Sequence, residues 1–514
     1  MSPDHKLAST FPDHLSEPID DAWSSALCPE ALAAVARFVQ GGPYSDIEPW
    51  LDLRVGFEAH LRLATGRKLF CSSAQGLAGF VDLGLPGSYP ELDPEASRLA
   101  WRMGRALGAR IPSIMAFERK RYAYPDLTKG YQTTQKGMCA FHGGSLFVEG
   151  AGLVEFDRGQ IEEDAARSGR SPHGFEIDCS RAGSPLIEMV TLPMRLDPAR
   201  AGQVVQAIRD LALHLGVSGG APELAEFKTD VCVSIAPLGL PWGARVEIKG
   251  VALFESAAIS ATECARMLCS LLLSGRRARA ATFRFDEGSA LLEPMREKQD
   301  ALYRFLPDGD LPMVAAVPPD AHEAVWDALE APGAWIKASG LTRGALVDDP
   351  AAESLCGLCL LLGGPRDRTE IEKMVLAVLS TLRLPVPREP RARLAMAEGL
   401  SWALASGAAR RSALEAFQAG WSGSSFDEAA ASFALASMPA ASTDFEAELA
   451  PWLLSEPAAA EPWAHYVAGK DKSMGRLVGL ARSRWPGADA AAISSLLASL
   501  RELARSASTS SSAL

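Results

Sequence analysis

The sequence predicts an α+β fold, arranged as one mixed domain followed by two helical modules. Three observations carry this. The runs FKTDVCVSIA (227–236) and ARVEIKGVALF (244–254) alternate polar and apolar residues with the period of two that marks strands. A helix is clearly signposted between 197 and 216, and strand texture stops near residue 320. In the first run Asp230, Cys232 and Ser234 fall on one face, with Val231, Val233 and Ile235 on the other. In the second, Glu247 and Lys249 share a polar face opposite Val246 and Ile248. For the helix, Asp197 is the N-cap and Pro198 the first helical residue. Val204, Val205, Ile208, Leu211 and Leu215 form its apolar stripe, and Gly216 closes it.

The remaining elements follow in chain order. Residues 1–48 are rich in Pro, Ser and Asp and read as a weakly ordered extension with one helix-like patch, ALAAVARFV (31–39). Residues 49–320 form the α+β domain. Residues 321–393 read as a helical domain ending in the Pro/Arg-rich linker LPVPREPRAR (384–393), and 394–507 as an Ala/Leu-rich helical tail module. The last residues, 508–514, are too polar to bury surface and are expected to be disordered.

Composition narrows the class. At 514 residues, 48% hydrophobic and 22% charged, the chain has the make-up of a protein with large buried cores. A net charge of −12 argues against a protein that coats nucleic acid through its overall charge, leaves room for a local basic patch, and no DNA partner is expected. No run of about 18–20 apolar residues and no secretory signal is evident, and nine scattered cysteines fit reduced thiols better than a disulfide framework. A cytoplasmic location is expected, with no membrane partner.

The common nucleotide cradles, GxxxxGK[ST] and GxGxxG after a strand, are absent, as is a GxSxG elbow. WSGSSFDE (421–428) reads as a loop or cap, and CGLC (356–359), lacking a second pair, as buried thiols. Acidic residues near a histidine are more informative. In FEAH (57–60), Glu58 and His60 share a strand face. IEEDAA (161–166) concentrates three carboxylates, either as a salt-bridged surface or as metal ligands. Glu188 stands alone in the apolar run LIEMV (186–190), where a carboxylate needs a partner or a cation. Oxygen-rich sets of this kind suit Mg²⁺.

Several segments together resemble the GatB family, the B-type component of the glutamyl/aspartyl-tRNA amidotransferases. They are GFEAHLRLATGRKLFC (56–71), RKRYAYPDLTKGYQTTQ (119–135), IEEDA (161–165), FEIDCSRAGSPLIEMV (175–190), VEIK (246–249), EPMREKQDALYRFLPDGDLP (293–312) and HYVAGKDKSMGRLVG (465–479). The resemblance runs from about 50 to 507 in the family's order. It implies a cradle domain followed by a helical domain and a helical tail module. The implied activity is ATP-dependent amidation of the side-chain carboxylate of misacylated Glu-tRNA(Gln) or Asp-tRNA(Asn) through an acyl phosphate. A ligase of this kind uses glutamine as amide donor. Its ammonia comes from a partner amidase of the GatA type, and a small GatC-type clamp holds the pair together. Carried over by position, the family's Mg²⁺ ligands fall on His60, Glu162 and Glu188, and Glu58 is the assisting acid. Lys129, Arg181 and Lys249 match family cations expected near phosphates or the acyl intermediate. The segment 461–514 has seven Lys/Arg against four Asp/Glu, a net +3 suited to tRNA phosphates.

The sequence departs from the family in three places. Of the four zinc cysteines only Cys71 remains, in CSSA (71–74), and FVDL (80–83) replaces the later pair, so no structural zinc is expected. Cys232, Gly250 and Ala252 stand where amide side chains are expected, and the long extension precedes the usual start. Two alternatives follow: a divergent paralogue amidating another carboxylic acid in a specialised pathway, and a non-catalytic tRNA-binding scaffold.

Overall fold

A computed structural model describes residues 11–122, 124–172, 174–286, 288–297, 304–329, 349–363, 368–382, 384–388, 390–405, 445–485 and 493–502. The segment 421–428 and the terminal 508–514 lie outside the described residues. The chain divides into two units, residues 1–354 with 388–390, and 355–387 with 391–514.

The first unit is built on a ten-stranded sheet. Its principal strands are β1 (Leu51–Arg62), β2 (Phe141–His142), β3 (Gly152–Glu163), β4 (Pro185–Thr191), β5 (Phe227–Pro237), β6 (Val246–Val251), β7 (Ala281–Asp286) and β8 (Leu291–Glu297). They lie in the order β8-β7-β6-β5-β1-β4-β3-β2, antiparallel throughout the middle, with β6 and β7 parallel. Alternation along β1 decides the two faces. Leu51, Leu53, Val55, Phe57, Ala59 and Leu61 are all buried in the main core. The opposite face carries the even-numbered Arg54, Glu58, His60 and Arg62.

The sequence reading of β5 and the 197–216 helix matches the chain. Asp197 accepts a hydrogen bond from the Ala199 N–H, a short 3₁₀ turn precedes the helix Ala201–His214, and Gly216 follows with φ +63°. The run 244–254 is strand only to Val251, and Phe254 already begins the helix Phe254–Leu273. That helix is 20 residues long and by length and composition could cross a membrane, which the sequence reading did not expect. Its buried residues, among them Cys264, Leu268 and Leu272, belong to the main core.

The N-terminal segment differs most from expectation. Ser16–Pro18 pairs with Arg276–Ala278, and α1 (Asp21–Ala26) and α2 (Pro29–Val39) follow. Phe11, Leu15, Trp23, Val35, Phe38 and Ile47 are buried in the main core. Sparse but large apolar residues, spaced beyond any single periodicity, hid this docking in a polar background.

The first unit also contains α3 (Pro94–Ala106), α4 (Ala201–His214), α5 (Phe254–Leu273) and α6 (Ala321–Asp327). Helices α4 and α5 cover the apolar side of the sheet. Gly202 permits their close approach, since a Cβ there would lie 2.5 Å from the Phe254 carbonyl oxygen. From Leu355 the described chain is helical: most of α7 (Pro350–Gly363), then α8 (Arg368–Ala377), α9 (Pro390–Ala405), α10 (Phe445–Ser455), α11 (Pro457–Val467) and α12 (Ser473–Arg484). Cys356 and Cys359 are buried on α7, as the run CGLC implies. Leu449, Leu453, Leu477, Trp485 and Leu497 form the core of the last helices, with the Trp452 and Trp485 rings 5.3 Å apart, edge to face. Of the basic residues there, Lys470, Lys472 and Arg476 are exposed. Arg501 pairs with Asp471 at 2.7 Å.

Candidate functional site

Strand register brings the acidic residues together. Glu188 on β4 lies opposite His60 on β1 and Gln160 on β3, and Glu162 lies opposite Leu186, two residues along β4. His60, Glu162 and Glu188 thus converge, each offering a ligand atom within 4.8 Å of the others. The His60 Nε2 stands 3.7 Å from both Glu162 Oε1 and Glu188 Oε2. Glu162 accepts from the Thr134 hydroxyl at 3.3 Å, and Glu188 from the Gln160 amide at 2.9 Å.

Burial dominates the electrostatics of these carboxylates. Burial first, and the neighbouring Glu162 charge second, push the Glu188 carboxyl up to about 7, against the attraction of His60 and Lys120. Burial likewise raises Glu162, and the charges of Lys120 and Lys228 do not offset it. Two carboxylates and an imidazole aimed at one point, with their burial uncompensated, form a donor set suited to a divalent cation.

A second acidic group adjoins the first on the same face. Glu58, Asp230 and Glu247 also bring ligand atoms within 4.8 Å, but this group holds a cation of its own. Lys249 Nζ lies 2.7 Å from Asp230 Oδ2 and 3.1 Å from Glu247 Oε1. Burial works to raise the Asp230 pKa, yet the Lys249 ammonium, His60 and the Gly250 N–H bring it to about 2. Glu58 borders both groups and accepts from Arg245 at 3.1 Å. Burial, then the Glu188 and Glu247 charges, raise its pKa.

The other expected cations stand differently. Lys129 binds both oxygens of Glu163 at 2.6 Å, and strand alternation turns Glu163 away from the face of Glu162. It lines a separate cavity of about 210 Å³ with Arg119, Tyr131 and Asp310. Arg181 pairs with Asp164 at 3.1 Å and donates to the Ala165 and Ala166 carbonyls. The 162–164 run is thus a buried, partnered set rather than a salt-bridged surface. The lysines whose charge acts on the triad are Lys120 and Lys228, which the sequence reading missed. Spacing places Lys228 on the face of Asp230, two residues on along β5, but its register with His60 comes only from strand pairing.

The departures acquire physical reasons. Gly250 has φ +73°, a left-handed backbone that glycine and asparagine tolerate, and its N–H donates to Asp230 at 2.9 Å. Around Cys71 the donors do not fit structural zinc: its Sγ contacts Ser73 Oγ at 3.3 Å, and Asp82 accepts from the Gly79 N–H at 2.8 Å.

The family model described as "GatB/GatE catalytic domain" matches residues 53–319, just over half of the 514-residue chain. The chain belongs to the GatB/GatE catalytic domain family. A Thermus thermophilus relative, named as the B subunit of an aspartyl/glutamyl-tRNA(Asn/Gln) amidotransferase, is 39% identical over 280 residues, covering 53% of this chain and 59% of that relative. A Francisella tularensis protein of the same name is 37% identical over 279 residues, or 51% of this chain and 58% of its own. Each match spans under two thirds of the relative's length. Both candidate clusters lie inside the residues matched to the GatB/GatE domain.

Proposed function

We propose that this chain is the activating and amidating subunit of a tRNA-dependent amidotransferase. It converts the side-chain carboxylate of Glu-tRNA(Gln) or Asp-tRNA(Asn) to the amide at the expense of ATP. The observation that carries this reading is the convergence of His60, Glu162 and Glu188 beside Glu58, within the matched domain.

The chemistry proceeds in two displacements. A carboxylate oxygen of the acceptor attacks the γ-phosphorus of ATP, ADP leaves, and an acyl phosphate remains. Ammonia nitrogen then attacks the acyl carbon, the C–O bond to phosphate breaks, and the nitrogen sheds one proton as the amide forms. Magnesium held by His60, Glu162 and Glu188 would neutralise phosphate charge during the first displacement. Glu58, raised by burial and by its acidic neighbours, is suited to take up the ammonia proton. Lys249 steadies Asp230 and Glu247 beside it. Lys129 and Arg181 approach phosphates on this reading only by sharing their charge with Glu163 and Asp164.

No amidase signature is present in the sequence, so ammonia comes from a GatA-like partner amidase, with a small GatC-like clamp and a cytoplasmic setting. Exposed Lys470, Lys472 and Arg476 supply a basic surface for tRNA phosphates. The test is ATP hydrolysis and amide formation by the full chain with ammonium and a partner amidase. Stimulation by one misacylated tRNA, with amide appearing on it, supports the reading. ATP turnover indifferent to both tRNAs overturns it.

A further inference from the structure

Behind the two carboxylates of the triad runs a relay of neutral groups that starts at one arginine. Arg158 Nε donates to the Gln160 carbonyl oxygen Oε1 at 2.9 Å. The Gln160 amide nitrogen donates to Glu188 Oε2 at 2.9 Å and to the Thr134 hydroxyl at 3.4 Å. That hydroxyl donates in turn to Glu162 Oε2 at 3.3 Å. Strand register builds the relay. Gln160 lies opposite Glu188 and precedes Glu162 by two on β3, which puts all three on one face. Thr134 ends the strand Tyr131–Thr134, which packs on β3.

Counting donors and acceptors leaves the relay one direction. A guanidinium can only donate, so the Gln160 oxygen turns to Arg158 and its NH₂ group turns to the acids. Thr134 has a single proton, and with its oxygen accepting from Gln160 that proton goes to Glu162. Gln160 and Thr134 are both buried, so these partners orient them rather than bulk water. Each carboxylate therefore has one oxygen held by an uncharged donor. Coordination of an ion through both oxygens would compete with that hydrogen bond. Mg²⁺ demands near-ideal octahedral geometry, whereas Ca²⁺ accepts bidentate carboxylates and irregular shells.

We propose that Gln160 and Thr134, with Arg158 setting the amide, are positioning residues that hold Glu162 and Glu188 as single-oxygen ligands and bias the triad toward a Mg²⁺-sized cation over Ca²⁺. The inference deepens the proposed function and rests on its metal assignment. Because both residues are neutral, they add no counter-charge to the site. What they supply is orientation, as hydrogen-bond partners of metal ligands commonly do.

The test is Mn²⁺ binding to the full chain at pH 7.5, read by paramagnetic resonance, with Mn²⁺ standing in for Mg²⁺. Ca²⁺ affinity is obtained by competition against Mn²⁺. Thr134→Val and Gln160→Leu each delete a donor at nearly constant shape, and Thr134→Ser keeps the hydroxyl. Thermal denaturation of the metal-free chains checks that every variant is folded. The expected result is a loss of Mn²⁺ affinity of about 10-fold or more in Thr134→Val and in Gln160→Leu. Ca²⁺ affinity should change much less, so the preference for Mn²⁺ over Ca²⁺ narrows, and Thr134→Ser should behave as wild type. Unchanged Mn²⁺ affinity in both deletions would overturn the inference and leave the metal assignment standing. Equal losses for Mn²⁺ and Ca²⁺ would overturn it as well, since a relay that only supports the fold selects no ion. A wild-type chain that binds no Mn²⁺ would remove the metal assignment and the inference together.

Discussion

The two acidic groups on the sheet face have nearly the same composition and opposite electrostatics. Around His60, Glu162 and Glu188 the nearby positive charges do not offset burial, and the Glu188 carboxyl rises to about 7. Glu58, Asp230 and Glu247 enclose Lys249, and Asp230 falls to about 2. In the second group Lys249 pairs with Asp230 and Glu247, whereas Glu58, although bonded to Arg245, is raised by burial much as the triad's carboxylates are. In the first, the charges of His60, Lys120 and Lys228 leave Glu162 and Glu188 raised by burial, which a bound cation would offset on the proposed reading. Acidity alone therefore does not mark a metal site. On the proposed reading the added mark is convergence, two raised carboxylates meeting an imidazole, as Glu162 and Glu188 do with His60.

The largest expected effect sharpens this contrast. Glu188→Gln should lower Mg²⁺-dependent amidation by about 100-fold or more while the fold holds, since one uncompensated buried charge is removed. Parallel rate and melting measurements check this, and near-normal turnover would break the metal assignment.

Lys249→Met should act the other way, on stability first. It strands Asp230 and Glu247, and breaking a buried pair costs roughly 3–5 kcal/mol. With the lysine side chain 35% exposed, a loss of about 2 kcal/mol in urea unfolding is expected. An unchanged midpoint would show that Lys249 does not stabilise its two carboxylates.

A pH test separates the groups more gently. The Glu188 pKa in the folded, metal-free chain, about 7, exceeds its ordinary 4.5. A raised carboxyl contributes stability that is present below 4.5 and lost as pH rises through about 7. The metal-free chain should therefore melt at a higher temperature at pH 5 than at pH 7.5. Mg²⁺ should stabilise it at the higher pH and do little at the lower. Asp230 contributes in the opposite sense, its stability being lost only as pH falls from about 4 towards 2. The smallest effect is expected of Gly250→Asn, since asparagine tolerates the +73° backbone, with a change under about 1 kcal/mol in the same unfolding assay.

Much of the site was legible because strand alternation is a strict rule. Glu58 with His60, and Asp230 with Cys232, could be placed on faces from spacing alone. The lone Glu188 in an apolar run announced its own cost. What spacing could not supply was pairing between distant strands, and hence the convergence of Glu247 with Glu58 or of Lys129 with Glu163. The three acids at 162–164 illustrate this. A salt-bridged surface was one of their two readings, yet each is buried. Their partners are separated in sequence, and no local pattern records them. The N-terminal segment was misread for a related reason: its burial depends on a few large side chains docking on a distant sheet.

The most direct test of the account is a Mn²⁺ titration at pH 7.5, read by paramagnetic resonance, of the wild type, His60→Ala and Asp230→Asn. The account predicts one bound ion in the wild type, retained in Asp230→Asn and lost in His60→Ala. An ion that persists in His60→Ala and disappears in Asp230→Asn would contradict it and exchange the roles of the two groups.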